Sequence, residues 1–149
     1  MKLTKRDFNL LTALRKNSRL TLTQMSKETK IPISTLYDRL KMQTGKTITK
    51  HTSILDFTKL GYATRMIVYL QVDALKRKEL ERCLQVHENI NNVYEVVQDF
   101  DYGIEGIFKN IQEATAFIRQ LQERFPSIKY QSHFINRDIV REKFLPQAS

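Results

Sequence analysis

The apolar period of this chain is helical throughout its first part and mixed beyond it, and that division limits the folds open to it. Up to about residue 43 the apolar residues recur at the three-to-four spacing of a helix; from Ala63 stretches that alternate with a period of two are interleaved with further helical ones. A chain that begins in short helices and continues in strands belongs to the α+β class. At 149 residues it is long enough for one substantial core or two small ones.

The helical part divides readily. Thr4 and Asp7 form a T-x-x-D capping pattern ahead of Phe8, Leu10, Leu11 and Leu14, which predicts a helix from about Lys5 to Lys16. Asn17-Ser18-Arg19 ends it. Thr23 is expected to cap a second, short helix that turns Met25 inward and stops near Thr29. Lys30-Ile31-Pro32 is the turn, because proline disfavours a helical residue before it. A third helix then reaches about Gln43, with Leu36 and Leu40 one turn apart on its buried face; the last two helices and their tight turn make a helix-turn-helix. Gly45 suits a left-handed cap. Beyond it, residues 46–52 alternate as an extended ribbon would, a wing beside the helices.

Charge says what this half meets. Residues 1–60 hold 13 Lys+Arg against 4 Asp+Glu, and the remaining 89 residues hold 12 of each, so the whole net charge of +9 lies in the first part. Such asymmetry points one half at a polyanion, and duplex DNA is the leading one. A membrane surface would call for a Trp/Phe/Leu face opposite the basic residues, and this segment has none. Ser34 and Thr35 fall in the first turn of the third helix, where hydroxyls and N–H groups suit phosphates or base edges. Tyr37, Asp38 and Lys41 point away from the Leu36–Leu40 seam, towards the major groove in such a motif. Arg39 lies at the edge of that seam, placed to touch DNA or to pair with an acidic group. Lys46, Thr47 and Lys50 of the ribbon are the candidates for the phosphate backbone.

Residues 56–61 read as a hinge, which divides the chain into a DNA-binding part, 1–55, and a second domain, 62–149. From Ala63 to Val72, Met66, Val68, Leu70 and Val72 share one strand face; Arg65, Ile67, Tyr69 and Gln71 share the other. Asp73 to about His87 reads as a helix with Leu80, Cys83 and Leu84 inward. Residues 89–92 are expected to turn the chain, Val93–Gln98 to be a strand, and residues 99–103 to reverse it into a strand over Ile104–Lys109. Asn110 caps a helix carrying Ala114, Phe117, Ile118, Leu121 and Phe125, Pro126 stops it, and a last strand carries Ile128, Tyr130, Ser132 and Phe134. The order βαββαβ is the ferredoxin-like plan, with both helices on one face of an antiparallel sheet. The other face then carries Ile67, Tyr69, Tyr94, Val96, Ile107 and Ile135, and an exposed apolar sheet in a neutral domain calls for a second copy of itself. A dimer presents two helix-turn-helix units to half-sites about one helical turn apart.

Enzyme chemistry has no foothold here. The four glycines are scattered, so no phosphate-cradling loop exists, and His51, His87 and His133 lack metal-ligand spacing. Cys83 is the sole cysteine, which precludes an internal disulfide and suits a reducing cytoplasm. MKLTKRDF lacks the apolar block of a secretory signal, and no apolar run nears the ~18 residues of a membrane span. The expectation is a cytoplasmic, nucleoid-associated protein with no cofactor and no catalytic residue.

The pieces LTKRDFNLLTALRKNSRLTLTQMSK, STLYDRL, HTSILDFTKLGY and VVQDFDYGIEGIF, in this order and spacing, resemble the leucine-responsive regulatory protein/AsnC family, the feast/famine transcription regulators. The resemblance covers nearly the whole chain. It implies a winged helix-turn-helix joined to an effector and oligomerisation domain, in dimers that often assemble further, commonly to octamers. It also implies promoter binding, in many members answering to an amino acid, with Gln98, Asp99, Asp101 and Tyr102 as the residues near the effector. Gln98 stands where the family usually has a glycine, and the segment from Lys41 to Thr47 is about one residue shorter than usual. Two other readings compete with a sequence-specific regulator. One is a DNA-packaging protein of the same architecture with little sequence preference; the other is a sensor subunit whose basic half meets an acidic protein.

Overall fold

The computed structural model describes residues 2–144. They form two compact units: residues 2–54 with 139–144, and Leu55–Asp138.

In the first unit, α1 (Lys5–Lys16), α2 (Leu22–Thr29) and α3 (Ile33–Gln43) enclose Leu10, Ala13, Met25, Ile31 and Leu36, with Leu14, Leu20, Leu22 and Leu40 packed at the margin. The capping pattern at α1 is complete: Thr4 accepts from Asp7 N–H, and Asp7 accepts from Thr4 N–H at 2.8 Å. The cap of α2 differs from the sequence expectation. Thr21, not Thr23, takes that place, and it forms a reciprocal box with Gln24, whose Oε1 accepts from Thr21 N–H at 2.9 Å. T-x-x-Q caps as well as T-x-x-D. Lys30 closes α2 in the left-handed region (φ 58°), and Pro32 opens α3.

The ribbon expected over residues 46–52 does not form a strand. Gly45 adopts φ 77°, as the left-handed cap requires, and its N–H reaches Ile48 O at 2.9 Å, while Ile48 N–H returns to Gln43 O at 3.0 Å. These bonds fold residues 44–48 into a tight turn with one isolated bridge, Thr44 to Ile48, and residues 49–56 pair with nothing regular. Alternation alone cannot make a strand where no neighbour offers a ladder.

A second correction concerns the tail. The sequence reading gave 62–149 to one domain, yet residues 139–144 cluster with the first unit; residues 145–149 lie outside the described residues. Arg15, in the last turn of α1, donates to Glu142 O at 2.9 Å and Phe144 O at 3.1 Å and pairs with the Glu142 carboxylate at 3.3 Å. A contact spanning more than a hundred residues leaves no local pattern to read.

The second unit is built on β1 (Thr64–Gln71), α4 (Arg77–Val86), β2 (Ile90–Glu95), β3 (Tyr102–Phe108), α5 (Ile111–Arg124) and β4 (Lys129–Ile135). All its sheet pairings are antiparallel and the strand order is β2-β3-β1-β4, the ferredoxin-like arrangement. Both helices cover one face. Leu80 and Leu84 from α4 and Ala114, Phe117, Ile118 and Leu121 from α5 meet Met66, Val68, Leu70, Ile104 and Phe108 from the sheet. Asn110 caps α5 as expected. Residues 56–61, read as a hinge, contain a single 3₁₀ turn, Thr58–Leu60, held by Asp56 Oδ1 accepting from Thr58 N–H at 3.1 Å and closed by Gly61 at φ 89°.

Residues 90–92, expected to turn, are the start of β2; the reversal lies at residues 88–89, tied by Asn89 donating to Ile107 O at 2.7 Å. Tyr102 and Gly103, expected in the next reversal, open β3 instead. The face away from the helices carries Ile67, Tyr69, Tyr94, Ile107 and Ile135, as the alternation required, but Arg65, Glu105, Gln131 and His133 interleave with them. Arg65 is held there by Asp138 at 2.7 Å and Glu105 at 3.4 Å.

Candidate nucleic-acid interface

The third helix has two polar-apolar stripes, and its sequence spacing places them. Residues 36, 39, 40 and 43 recur at helical intervals and face inward; residues 34, 37, 38 and 41 recur on the outer side. Ser34, Tyr37, Asp38 and Lys41 are all exposed, and Tyr37 stands 56% open. Thr35, between the stripes, is half-buried. The start of α3 has no side-chain cap, unlike α1 and α2, so no cap side chain accepts from its first-turn N–H groups. Lys46 and Thr47 sit exposed in the tight turn that follows α3, and Lys50 is exposed in the irregular segment beyond.

Arg39 is not among the outward residues. Its guanidinium reaches both Asp7 oxygens, at 3.0 and 3.2 Å, and is half-buried against α1. Gln43, one turn on, donates to the same carboxylate at 3.3 Å and is 1% exposed, its own Oε1 left without a partner among the described residues. This Asp7–Arg39–Gln43 cluster was not read from the sequence as a unit. The T-x-x-D pattern marked Asp7 as a cap, and only the fold brings α3 to it. Burial alone would raise the Asp7 carboxyl. The hydrogen bonds from Thr4 and the charge of Arg39 outweigh that and hold it below the usual carboxylate range. A carboxyl held low in the folded state adds stability above about pH 4, and that stability is lost as pH falls through the lowered value. Acid titration followed by circular dichroism should show this loss in the wild type. Asp7→Asn should remove it and cost about 2 kcal/mol at neutral pH, since a buried partner is lost while Arg39 keeps some access to water.

In the second unit, an open cleft of about 270 Å³ is bounded by Arg77, residues 95–98 and residues 100–102. It gathers Gln98, Asp101 and Tyr102 of the sequence-derived effector set, but Asp99 is exposed and outside it. Gln98 adopts φ 87°, the left-handed backbone that a glycine takes without strain. Asp101 is committed to the fold: Oδ2 accepts from Val72 N–H at 3.0 Å, and Oδ1 pairs with Arg77 at 2.7 Å. Tyr102 is buried and donates to Glu81 at 2.7 Å. Burial first, then Glu81, pushes its phenol up to about 12. Because the folded value lies above the unfolded one of about 10, this contribution is intact below pH ~10 and lost as pH rises through the folded value. Ultraviolet titration should show one of the six tyrosines ionising near pH 12, and Tyr102→Phe should delete that step.

Residues 3–42 match a protein-family profile described as winged helix-turn-helix DNA-binding, which spans α1, α2 and nearly all of α3. The first unit is thus a DNA-binding helix-turn-helix. Over 113 residues, 75% of each chain, the protein is 30% identical to the HTH-type transcriptional regulator FL11 of Pyrococcus abyssi. Its fold is similar to that of B. subtilis LrpC, with a TM-score of 0.85, 23% identity, and 94% of this chain and 99% of that one covered. It is also similar to a transcriptional regulator from Neisseria meningitidis solved with L-Met (TM-score 0.88, 17% identity, 97% of both chains). The chain belongs to the Lrp/AsnC family of helix-turn-helix transcriptional regulators.

Proposed function

We propose that this regulator recognises particular duplex sequences through Ser34, Tyr37, Asp38 and Lys41 of α3, holds flanking phosphates with Lys46, Thr47 and Lys50, and does so as a homodimer. The observation that carries the reading is where the charge lies. The first unit has 14 Lys+Arg against 4 Asp+Glu, and the second has 11 against 12. Electrostatic attraction to phosphate therefore acts on one unit alone, and the polar stripe of α3 lies within it. The second unit supplies the dimer through the sheet face bearing Ile67, Tyr69, Tyr94 and Ile135, since apolar side chains on a near-neutral face are covered most readily by a like copy. An amino acid is the effector class that suits the cleft beside Gln98: Glu95 matches an ammonium group, and Arg77, a five-donor fork of which Asp101 engages one nitrogen, matches a carboxylate. The L-Met complex of the Neisseria regulator is consistent with that choice.

A duplex enriched from a random-sequence pool by the wild-type protein, competed against a shuffled duplex of equal composition, tests the reading. A preference of about 10³-fold or more is expected of a sequence-specific regulator. A ratio near one would mean a packaging protein, and no duplex binding at moderate salt would mean a protein partner for the basic unit. Titrating each amino acid into the same assay tests the effector.

A further inference from the structure

The apolar contacts of α3 are few. Leu36 and Leu40 alone represent it in the core of the first unit, with Leu36 fully buried and Leu40 at the margin. Apolar packing is non-directional, so two leucines set the depth of a helix better than its rotation about its own axis. Rotation matters here: at the ~6 Å radius of a helix surface, a 20° turn carries a side-chain tip about 2 Å. That exceeds the tolerance of a hydrogen bond to a base edge.

We infer that Asp7, Arg39 and Gln43 together set the rotation of α3, so that Arg39 acts on DNA recognition as a positioning residue and not as a phosphate contact. Asp7 is itself fixed, because its carboxylate accepts from both the N–H and the hydroxyl of Thr4, at 2.8 and 2.6 Å. Onto that anchor α3 places two donors four residues apart, Arg39 at 3.0 Å and Gln43 at 3.3 Å. Two directional bonds at successive turns define an orientation that one bond does not. Asp7 and Gln43 are each 1% exposed, which keeps water from competing for these bonds. Gln43 Oε1 is buried without a partner among the described residues, so the side chain is kept there for what its amide N–H₂ does. On the opposite side of the helix the same orientation presents Ser34, Tyr37, Asp38 and Lys41.

The inference rests on α3 being the reading helix, and one experiment separates the two. Full-length wild type, Asp7→Asn, Arg39→Gln, Arg39→Lys and Gln43→Met are compared on the enriched and shuffled duplexes over a salt series, at a temperature where circular dichroism shows each folded. Asp7→Asn, Arg39→Gln and Gln43→Met should each lower the enriched-to-shuffled ratio about tenfold, the effect of losing one well-made base contact. Affinity for the shuffled duplex and the salt slope should stay at wild-type values. Arg39→Lys should recover part of the ratio, and Asp7→Asn combined with Arg39→Gln should be no worse than either alone. If Asp7→Asn fails to fold, Gln43→Met, which keeps volume and loses only the bond, decides the matter. A salt slope lowered by about two units for the dimer, one per protomer, in Arg39→Gln alone would make Arg39 a phosphate contact and overturn the inference. So would unchanged ratios in all the variants. A wild-type ratio of one would overturn the reading of α3 itself and the inference with it.

Discussion

Replacing Lys46 and Lys50 together by alanine should lower the slope of log affinity against log salt by about four units for the dimer, close to one per phosphate. Affinity for any duplex near 0.1 M salt should fall on the order of 10³–10⁴-fold. Both side chains are exposed, and among the described residues neither forms an ion pair, unlike Lys59 with Asp56 or Lys76 with Glu79. A lysine with no carboxylate beside it gives up no protein contact on meeting a phosphate, so its whole counterion contribution goes to binding. The loss should be uniform across sequences, because phosphates carry no sequence information. Lys76→Ala, in the second unit, is the control and should leave the slope unchanged. Fluorescence anisotropy over a salt series reads both quantities. A double variant with the wild-type slope would place the phosphate contacts on other residues.

Gly106→Ala should be the most damaging single-methyl change in the second unit. Gly106 lies in β3 opposite Met66, and a Cβ built there would stand 2.5 Å from Cε2 and 2.8 Å from Cζ of Phe108. The ring has no room to swing. Phe108 is 1% exposed and packs on Phe117 with ring centroids 5.5 Å apart. Overpacking of this kind costs about 1–3 kcal/mol, or roughly 5–20 °C in melting temperature for a domain of this size. Scanning calorimetry of the full chain measures it. Phe108→Leu on its own opens space and is destabilising, but combined with Gly106→Ala it should cost less than the two separate losses added together. Strict additivity would mean that the methyl and the ring do not meet.

Much of this architecture can be read before any coordinates exist. The span of α1, the inward pair Leu36 and Leu40, the left-handed Gly45, the Asn110 cap and the inward stripe of α5 are all local, because each depends on residues within one or two turns. The outer stripe of α3 follows from the same periodicity, which is why Ser34, Tyr37, Asp38 and Lys41 emerged exposed. The misreadings are equally instructive. The ribbon over residues 46–52 had the right alternation and no partner strand. Residues 90–92 looked like a turn by composition, and pairing with β3 made them a strand. Thr21 and Thr23 are both good caps, and the choice fell to the one with Gln24 three residues ahead.

Sequence by itself determined the two-part α+β plan, the basic character of the first part and the outer polar stripe of α3, because periodicity, capping and net charge are properties of neighbouring residues. Tertiary structure alone decided that Arg39 turns in to Asp7, that residues 139–144 return to α1, and that Tyr102 and Asp101 serve the fold as much as the cleft. Those outcomes depend on which distant charges and hydrogen-bonding groups share a low-dielectric interior, and a linear order of residues does not specify that until the chain has packed.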